Sequence, residues 1–230
     1  MCHPLGEEKL WSHRVFVSFA REMASAGFAV LRFDYRGEGD SGRSFDRADL
    51  ETRVEDASLA VDAVRELNRS VTDVTLLGLR FGAIVAAITA TRRDHIRRLV
   101  LWDAILDGAV YMQSVLRLNL MYQMAQHRKV IQNRGALVAR LLGGETVNIE
   151  GYEMSERLFR QTCEFQLAAV LSPFHGQTLV VQVNPDEAPI RAEIAQLAST
   201  LHDCSAKTAR EKHFGGRSRL STSARPNSQT

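Results

Sequence analysis

The feature that most constrains the fold is the stretch "VTLLGLRFGAIVAAITATRR", residues 74–93. A short apolar run leads into a Gly-x-x-x-Gly turn and then into an alanine-rich segment, an order that predicts strand, tight turn and helix. The glycines permit a turn that other residues adopt only with strain. Arg80 stands at the centre of the turn, where a side chain projects over the end of the strand. The chain therefore carries an arginine at a position suited to a functional group.

Three more apolar runs resemble buried strands: "FAVLRF" (28–33), "RLVLW" (98–102) and "TLVVQV" (178–183). They are rich in valine and leucine and do not alternate with polar residues, as expected for strands covered on both faces. Apolar residues spaced by three and four, as in 50–67, predict helices between them. This alternation predicts an α/β fold with a doubly wound, mostly parallel sheet and right-handed crossovers.

The interval 108–171 breaks this rhythm with a long Met- and Leu-rich amphipathic stretch in which no strand is obvious. We interpret it as a helical cap over the carboxyl ends of the strands, with ordinary packing helices as the alternative. The expected organisation is then a first part of the core (1–107), the cap (108–171), a last part of the core (172–214) and a disordered, polar tail (215–230).

Composition excludes several classes of function. A formal net charge of +2 gives no reason to expect nucleic-acid binding, and three widely spaced cysteines indicate neither a disulfide framework nor a metal site. No signal sequence is apparent, and no apolar run approaches the roughly 18 residues of a membrane span. We expect a cytoplasmic protein without a cofactor, metal or membrane span.

Two further segments resemble loops that accompany such a turn in a known enzyme superfamily. "FDYRGEGDSGRS" (33–44) resembles the Gly-rich loop of α/β-hydrolases, and "HPLGEEK" (3–9) resembles their oxyanion loop. Together with "GLRFGA", "GYEMS" and "LVVQVN…AP", they resemble the exosortase A system-associated hydrolases of the type-2 group over about residues 3–189. In that group, too, the central residue of the nucleophile elbow is typically arginine.

The resemblance implies a set of site residues. The backbone N–H of Phe81 and the loop at Leu5 and Gly6 would hold a substrate anion, while Asp186, beside Glu187, and His213 would occupy the acid and histidine positions of the triad. Asp103 is a second candidate for the acid. The fold normally has strands before the oxyanion loop, which this sequence lacks, so its first strands are absent or its true start lies upstream.

Arg80 cannot act as the nucleophile, because a guanidinium stays protonated in proteins and has no lone pair with which to attack a carbonyl. It can bind a carboxylate or phosphate through its fork of donors. The sequence therefore predicts a pocket for a small anionic or acyl ligand. The alternative is an internal salt bridge, for which the candidate partners are Asp186, Asp103, Glu7 and Glu8. For Ser41 and Ser44 we expect a structural role in the turn.

Three hypotheses follow. The first is a hydrolase-like protein without serine catalysis, accessory to exopolysaccharide and exosortase systems. The second is an active esterase- or aminopeptidase-like hydrolase that uses a water activated by His213, and the third is a truncated, non-functional copy. An unpaired sheet edge at the missing strands further predicts a homodimer.

Overall fold

The structure is a computed structural model that describes residues 1–184 and 188–210. The helices are α1 Glu7–Ser25, α2 Leu50–Leu67, α3 Phe81–Thr91, α4 Gly108–His127, α5 Arg134–Leu142, α6 Glu156–Cys163, α7 Leu167–Leu171 and α8 Ala192–Thr200. The strands are β1 Val74–Leu79, β2 Ile96–Trp102, β3 Val147–Ile149, β4 Tyr152–Met154, β5 Gln177–Asn184 and β6 Cys204–Arg210.

The described main sheet has the strand order β1-β2-β5-β6, and every neighbouring pair is parallel. Its register places Leu76 opposite Leu99 and Leu101 opposite Val180. The prediction of a mostly parallel α/β sheet is thus confirmed. Strand β6, "CSAKTAR", was not predicted, because it lies at the end of the described sheet and lacks the continuous apolar run of a strand covered on both faces.

On one side of the sheet, which we call the packed face, α3 lies on β1 and β2 and α8 lies on β6, while α2 and α7 pack against α3. Helix α3 lies closest, and its residues 83–87 have no exposed surface. Alanine at three of these five positions lets the helix approach the strands closely. The main hydrophobic core joins this helix to Leu99 and Leu101 of β2 and to Ile194 of α8.

The opposite side, which we call the open face, has a much smaller core. Phe16 of α1 packs there against Leu77 and Leu79 of β1. Phe19 and Trp102 adjoin this cluster but are only partly buried. Within the described residues, most of the open face borders a cavity of about 750 Å³.

The segment 28–33 is not a strand, so this prediction was wrong. The segment has no ladder partner, and Phe28 is 58% exposed. The cavity separates the segment from β1, and the Met1 amino group donates to Leu31 O at 2.8 Å. A strand exists only through hydrogen bonds to a neighbour, so the apolar sequence alone could not form one.

The interval 108–171 contains α4 to α7 and also the antiparallel hairpin β3–β4, which was not predicted. The hairpin turn is Glu150-Gly151, and both residues have positive φ, 54° and 94°. Two such residues are what a two-residue turn between twisted strands requires. The turn was missed because glutamate, unlike asparagine or aspartate, is an unusual first residue for it.

The Gly-rich loop is a structural anchor. Asp34 pairs with Lys9 of α1 at 2.6 Å, and Arg36 pairs with Asp56 of α2 at 2.6 Å. A third pair joins Glu38 to Arg53. The Ser41 hydroxyl donates to Asp34 O at 2.9 Å, in keeping with its expected role in the turn.

The third pair is buried. Arg53 of α2 has no exposed side-chain surface, and its Nη2 donates to the Glu38 carboxylate at 3.0 Å. The guanidinium also lies 5.0 Å from the centroid of the Phe45 ring. A buried charge of this kind requires its partner, since removing one member leaves the other uncompensated.

Candidate functional site

The turn after β1 has the strained geometry of an elbow. Arg80 has φ 53° and ψ −118°, a conformation that L residues rarely adopt. Both glycines of the motif are required by close contacts: a Cβ on Gly78 would lie 2.2 Å from Gly82 O, and one on Gly82 would lie 2.1 Å from Cys2 O. The strained turn is thus fixed by packing on both sides.

The guanidinium of Arg80 is paired inside the protein. Its Nη2 donates to Glu8 Oε1 at 2.9 Å, and its Nη1 lies 3.4 Å from Asp103 Oδ2. The side chain is 27% exposed and lies over the ring of Tyr111, 5.7 Å from its centroid. Of the arrangements considered from the sequence, the structure contains the internal salt bridge, with two of the four candidate partners.

Burial and the neighbouring charges shift the pKa of Arg80 in opposite directions. Burial lowers the pKa of Arg80, but Glu8 and Asp103 raise it by more, so the guanidinium stays charged. The Tyr111 hydroxyl donates to Glu8 Oε2 at 3.2 Å. Burial first, and then the Glu8 charge, raise the pKa of Tyr111 well above its usual value, so the phenol remains a neutral donor.

The residues predicted to hold a substrate oxyanion, Leu5, Gly6 and Phe81, lie near Arg80. Gly6 is the N-cap residue of α1 and has φ 57°, and a Cβ there would lie 3.3 Å from the ring of Tyr152. Leu5 is buried, and Phe81, the first residue of α3, is fully buried directly after Arg80. The structure therefore brings the loop that contains Leu5 and Gly6 next to the elbow.

A small pocket of about 40 Å³ opens beside these residues. It is lined by Leu5, Gly6, Glu7, Glu8, Trp11, Phe45, Tyr111, Val115, Leu118, Ile149, Glu150, Tyr152 and Met154. Its apolar walls come from α1, α4 and the hairpin. A pocket of this size holds only a few water molecules, whereas ligand sites usually occupy several hundred Å³.

Glu150 is the residue of this site that the sequence did not reveal. It stands at the hairpin turn, and burial, followed by repulsion from Glu7 and Glu8, raises its pKa. Like Arg80 and Asp103, it has a positive φ, so three strained residues border one site. The glycine that follows it was the available signal, since it marks a turn within "VNIEGYEM".

The triad positions predicted after β5 and in "KHFGG" cannot be placed. Asp186, its neighbour Glu187 and His213 lie outside the described residues. Asp103, the second candidate for the acid, lies directly after β2 and faces Arg80. Across residues 1–184 and 188–210, no group of three or more His, Cys, Asp or Glu side chains could hold a metal ion.

The family model for serine aminopeptidase, S33, matches residues 4–169, which include the oxyanion loop, the elbow and the predicted cap. The chain belongs to this S33 serine aminopeptidase family. A curated relative of this S33 chain, an uncharacterized protein of Rickettsia prowazekii (strain Madrid E), is 32% identical over 98 residues. That match covers 43% of this chain and spans only 40% of the length of the relative.

Solved structures similar to this S33 chain are α/β-hydrolases. Est1E of Butyrivibrio proteoclasticus, solved with ferulic acid bound, matches with a TM-score of 0.61 and 20% identity, over 84% of this chain and 72% of its own. GrgF of Penicillium sp. sh18 has a TM-score of 0.57 and 17% identity, over 86% and 76%. The hydrolase olei00960 of Oleispira antarctica has 0.55 and 15%, over 92% and 82%. These likenesses confirm the predicted α/β-hydrolase fold.

None of the helices in the described part of the chain combines the length and apolar character needed to cross a bilayer.

Proposed function

We propose that this S33 family member is a hydrolase-like protein without serine-nucleophile catalysis, and that the small pocket next to Arg80, which Glu8 and Tyr111 line, binds an acyl ligand. The observation that carries this proposal is the ion-paired guanidinium at the elbow. A guanidinium that stays protonated cannot form an acyl-enzyme, whatever the rest of the site contributes. Residue 80 therefore cannot form an acyl-enzyme as a catalytic serine would.

The binding half of the proposal rests on the arrangement of charge and apolar surface. A ligand carboxylate would replace Glu8 on Arg80, an exchange of one carboxylate for another. The acyl chain would then lie against Leu5, Trp11 and Val115, which line the pocket. Because the pocket is small, α4 and its Tyr111 must move to admit the chain.

By resemblance of its motifs to the exosortase A system-associated hydrolases, we assign this binding role to exopolysaccharide and exosortase systems. No observation favours the alternative of a water activated by His213, since that residue lies outside the described part of the chain.

The catalytic half is tested with p-nitrophenyl butyrate turnover and fluorophosphonate labelling of the purified chain. We expect neither turnover nor labelling. Arg80→Ser should be tested in parallel, with Arg92→Ser as the matched control, because Arg92 pairs with Glu51 at the exposed surface. Hydrolysis by Arg80→Ser alone would show that the surrounding groups are still arranged for catalysis. Labelling of the unmodified chain would contradict the proposal and identify another nucleophile.

The binding half is tested by calorimetric titration with octanoate, using inorganic phosphate as an anion without an acyl chain. We expect Glu8→Gln to bind octanoate more tightly than the parent chain, because the competing carboxylate is gone, and Arg80→Leu to lose binding. Equal affinity in all three proteins would show that octanoate binds elsewhere.

A further inference from the structure

Helix α4 carries apolar side chains on its outward side as well as on its inward side. The inward residues Met112 and Leu116 are buried. Leu118, Met121 and Tyr122 are spaced by three and four and are between 40% and 63% exposed. A helix at the surface of a globular protein normally has charged or polar residues on its outward side. Helix α4 thus exposes apolar side chains where water alone would favour polar ones.

The turn after α4 extends this surface. The side-chain oxygen of Gln123 accepts hydrogen bonds from the N–H groups of Ile131 and Gln132 at 2.8 and 2.9 Å, which hold the turn against the end of α4. Val130 and Ile131 are 44% and 56% exposed. We define the apolar patch as Leu118, Met121, Tyr122, Val130 and Ile131. A cluster of exposed apolar side chains of this kind marks a contact surface.

The charges around the apolar patch have one sign. Residues 108–144 contain five Lys or Arg and no Asp or Glu, although the net charge of the whole chain is only +2. Arg140 pairs with Glu145 at 2.7 Å. The other four cations form no ion pair with any described residue: Arg117, Arg128, Lys129 and Arg134. The surface therefore complements a partner that is both anionic and partly apolar.

The same charges disfavour an occupant from this chain. In a symmetric pair, the apolar patch of each copy would face that of the other, so that their cations would repel. Residues 211–230, which lie outside the described residues, contain four Lys or Arg and one Glu, so their charge has the same sign as that of the patch. The complementary charge must come from a different molecule.

We propose that the apolar patch binds the surface of an anionic lipid bilayer. Its side chains would enter the boundary between head groups and acyl chains, and the four cations would lie among anionic head groups. Long Lys and Arg side chains suit this arrangement, because their stems accept apolar surroundings while their charged ends stay at the polar level. The outward side of a helix is convex, so a bilayer adapts to it, whereas a protein partner would need a matching groove.

The first test measures co-sedimentation of the purified chain with vesicles of phosphatidylcholine and phosphatidylglycerol, and with vesicles of phosphatidylcholine alone. We expect binding to the mixed vesicles to be tighter by about tenfold or more at low salt. This preference should decrease as the salt concentration rises, because salt screens the exposed charges.

A matched pair of variants tests the apolar contribution. Met121→Asp places a carboxylate in the apolar patch, whereas Leu59→Asp changes a side chain of α2 that is 64% exposed. We expect the first variant to weaken binding to the mixed vesicles by about tenfold or more and the second to leave it unchanged. Both side chains are exposed in the parent chain, so thermal unfolding should show that each variant remains folded.

A second pair tests the charges. The double variant Arg128→Gln, Lys129→Gln should weaken binding to the mixed vesicles by about tenfold or more. The control, Arg65→Gln with Arg69→Gln, removes the same charge from the end of α2 and the loop after it. It should bind the mixed vesicles as the parent chain does.

The proposal is independent of the ligand binding proposed above. Met121 does not line the small pocket beside Arg80. Met121→Asp should therefore bind octanoate as the parent chain does, while it loses vesicle binding. Failure of either proposal is thus visible without the other.

Four results would overturn the proposal. One is equal binding, or none, to the two kinds of vesicle. Another is unchanged binding by Met121→Asp, which would mean adsorption through charge alone. A third is binding to poly-L-glutamate that is as tight as vesicle binding and equally sensitive to Met121→Asp, which would make an acidic polypeptide the occupant. The last is a parent dimer that Met121→Asp dissociates, which would make a second copy the occupant.

Discussion

The packed face and the open face of one sheet differ in what covers them. The packed face belongs to the main hydrophobic core, which includes residues of α2, α3, α7 and α8. The described part of the open face is covered by α1, and its core has three buried residues. Both faces are formed by the same strands with similar apolar side chains. The difference shows that apolar strand residues contribute to stability only as far as another element covers them.

The largest expected effect comes from truncating a leucine on each face. Leu99, 1% exposed, belongs to the packed face, and Leu77, 7% exposed, belongs to the open face. We expect Leu99→Ala to lower the free energy of unfolding by an amount near the top of the range of about 2–5 kcal/mol, and Leu77→Ala by one near the bottom. Urea unfolding measures both.

The physical reason for this difference is that the open face already borders a cavity, so truncation there removes fewer contacts. Equal losses for the two variants would mean that the open face is covered by another chain in solution.

The second prediction concerns pH and His3, which is buried against the ring of Tyr35, a residue of the main core. Burial, and then the Lys9 charge, lower the pKa of His3 to about 3. Asp34, Glu38 and Arg53 complete its charged surroundings. Between pH 6.5 and about 3, the unfolded chain binds a proton that the folded chain refuses. Stability is therefore lost as the pH falls through this window, by up to about 1.4 kcal/mol per pH unit, and is unaffected by His3 above it.

The measurement is the free energy of unfolding from pH 7 to 4, compared with that of His3→Gln. The glutamine variant should show a shallower slope over the same range. An unchanged slope would mean that His3 accepts a proton in the folded protein, and hence that its surroundings are more open than the packed face.

The smallest effect is expected from enlarging an alanine on each face. Ala86 of α3 has no exposed surface, whereas Ala209 of β6 lines the cavity. We expect Ala86→Leu to destabilise the protein by about 1–3 kcal/mol through overpacking, and Ala209→Leu to stabilise it by about 0.5–2 kcal/mol through filling empty space. Thermal unfolding distinguishes the two signs. Destabilisation by both would contradict the contrast between the faces.

The sequence predicted the parts of the fold that depend on local pattern. The apolar runs that became β1, β2 and β5 were recognised because they are rich in valine and leucine, and each pairs with a parallel neighbour. The run 28–33 has the same composition but no strand beside it, and composition does not report whether a partner exists. For β6 the prediction failed in the opposite way: this segment pairs with β5 along its whole length although it has no apolar run.

The candidate site was predictable to a similar extent. The elbow at Arg80 follows from its two glycines, and both of its observed partners, Glu8 and Asp103, were among the acids considered. The distances were needed to select these two from the four acids, because Glu8 is 72 positions away from Arg80 in the sequence. Glu150 reaches the site through a hairpin for which Gly151 was the local signal, but glutamate is an unusual first residue for such a turn.

The ion pairs of Arg80 have a mechanical consequence. Glu8 belongs to α1 and Asp103 follows β2, so one guanidinium tethers the helix over the open face to two strand ends. The arginine at the elbow thus holds α1 in place over the scarcely covered half of the molecule. A serine introduced there would remove these ion pairs, and any chemistry that it brought would come with a looser α1.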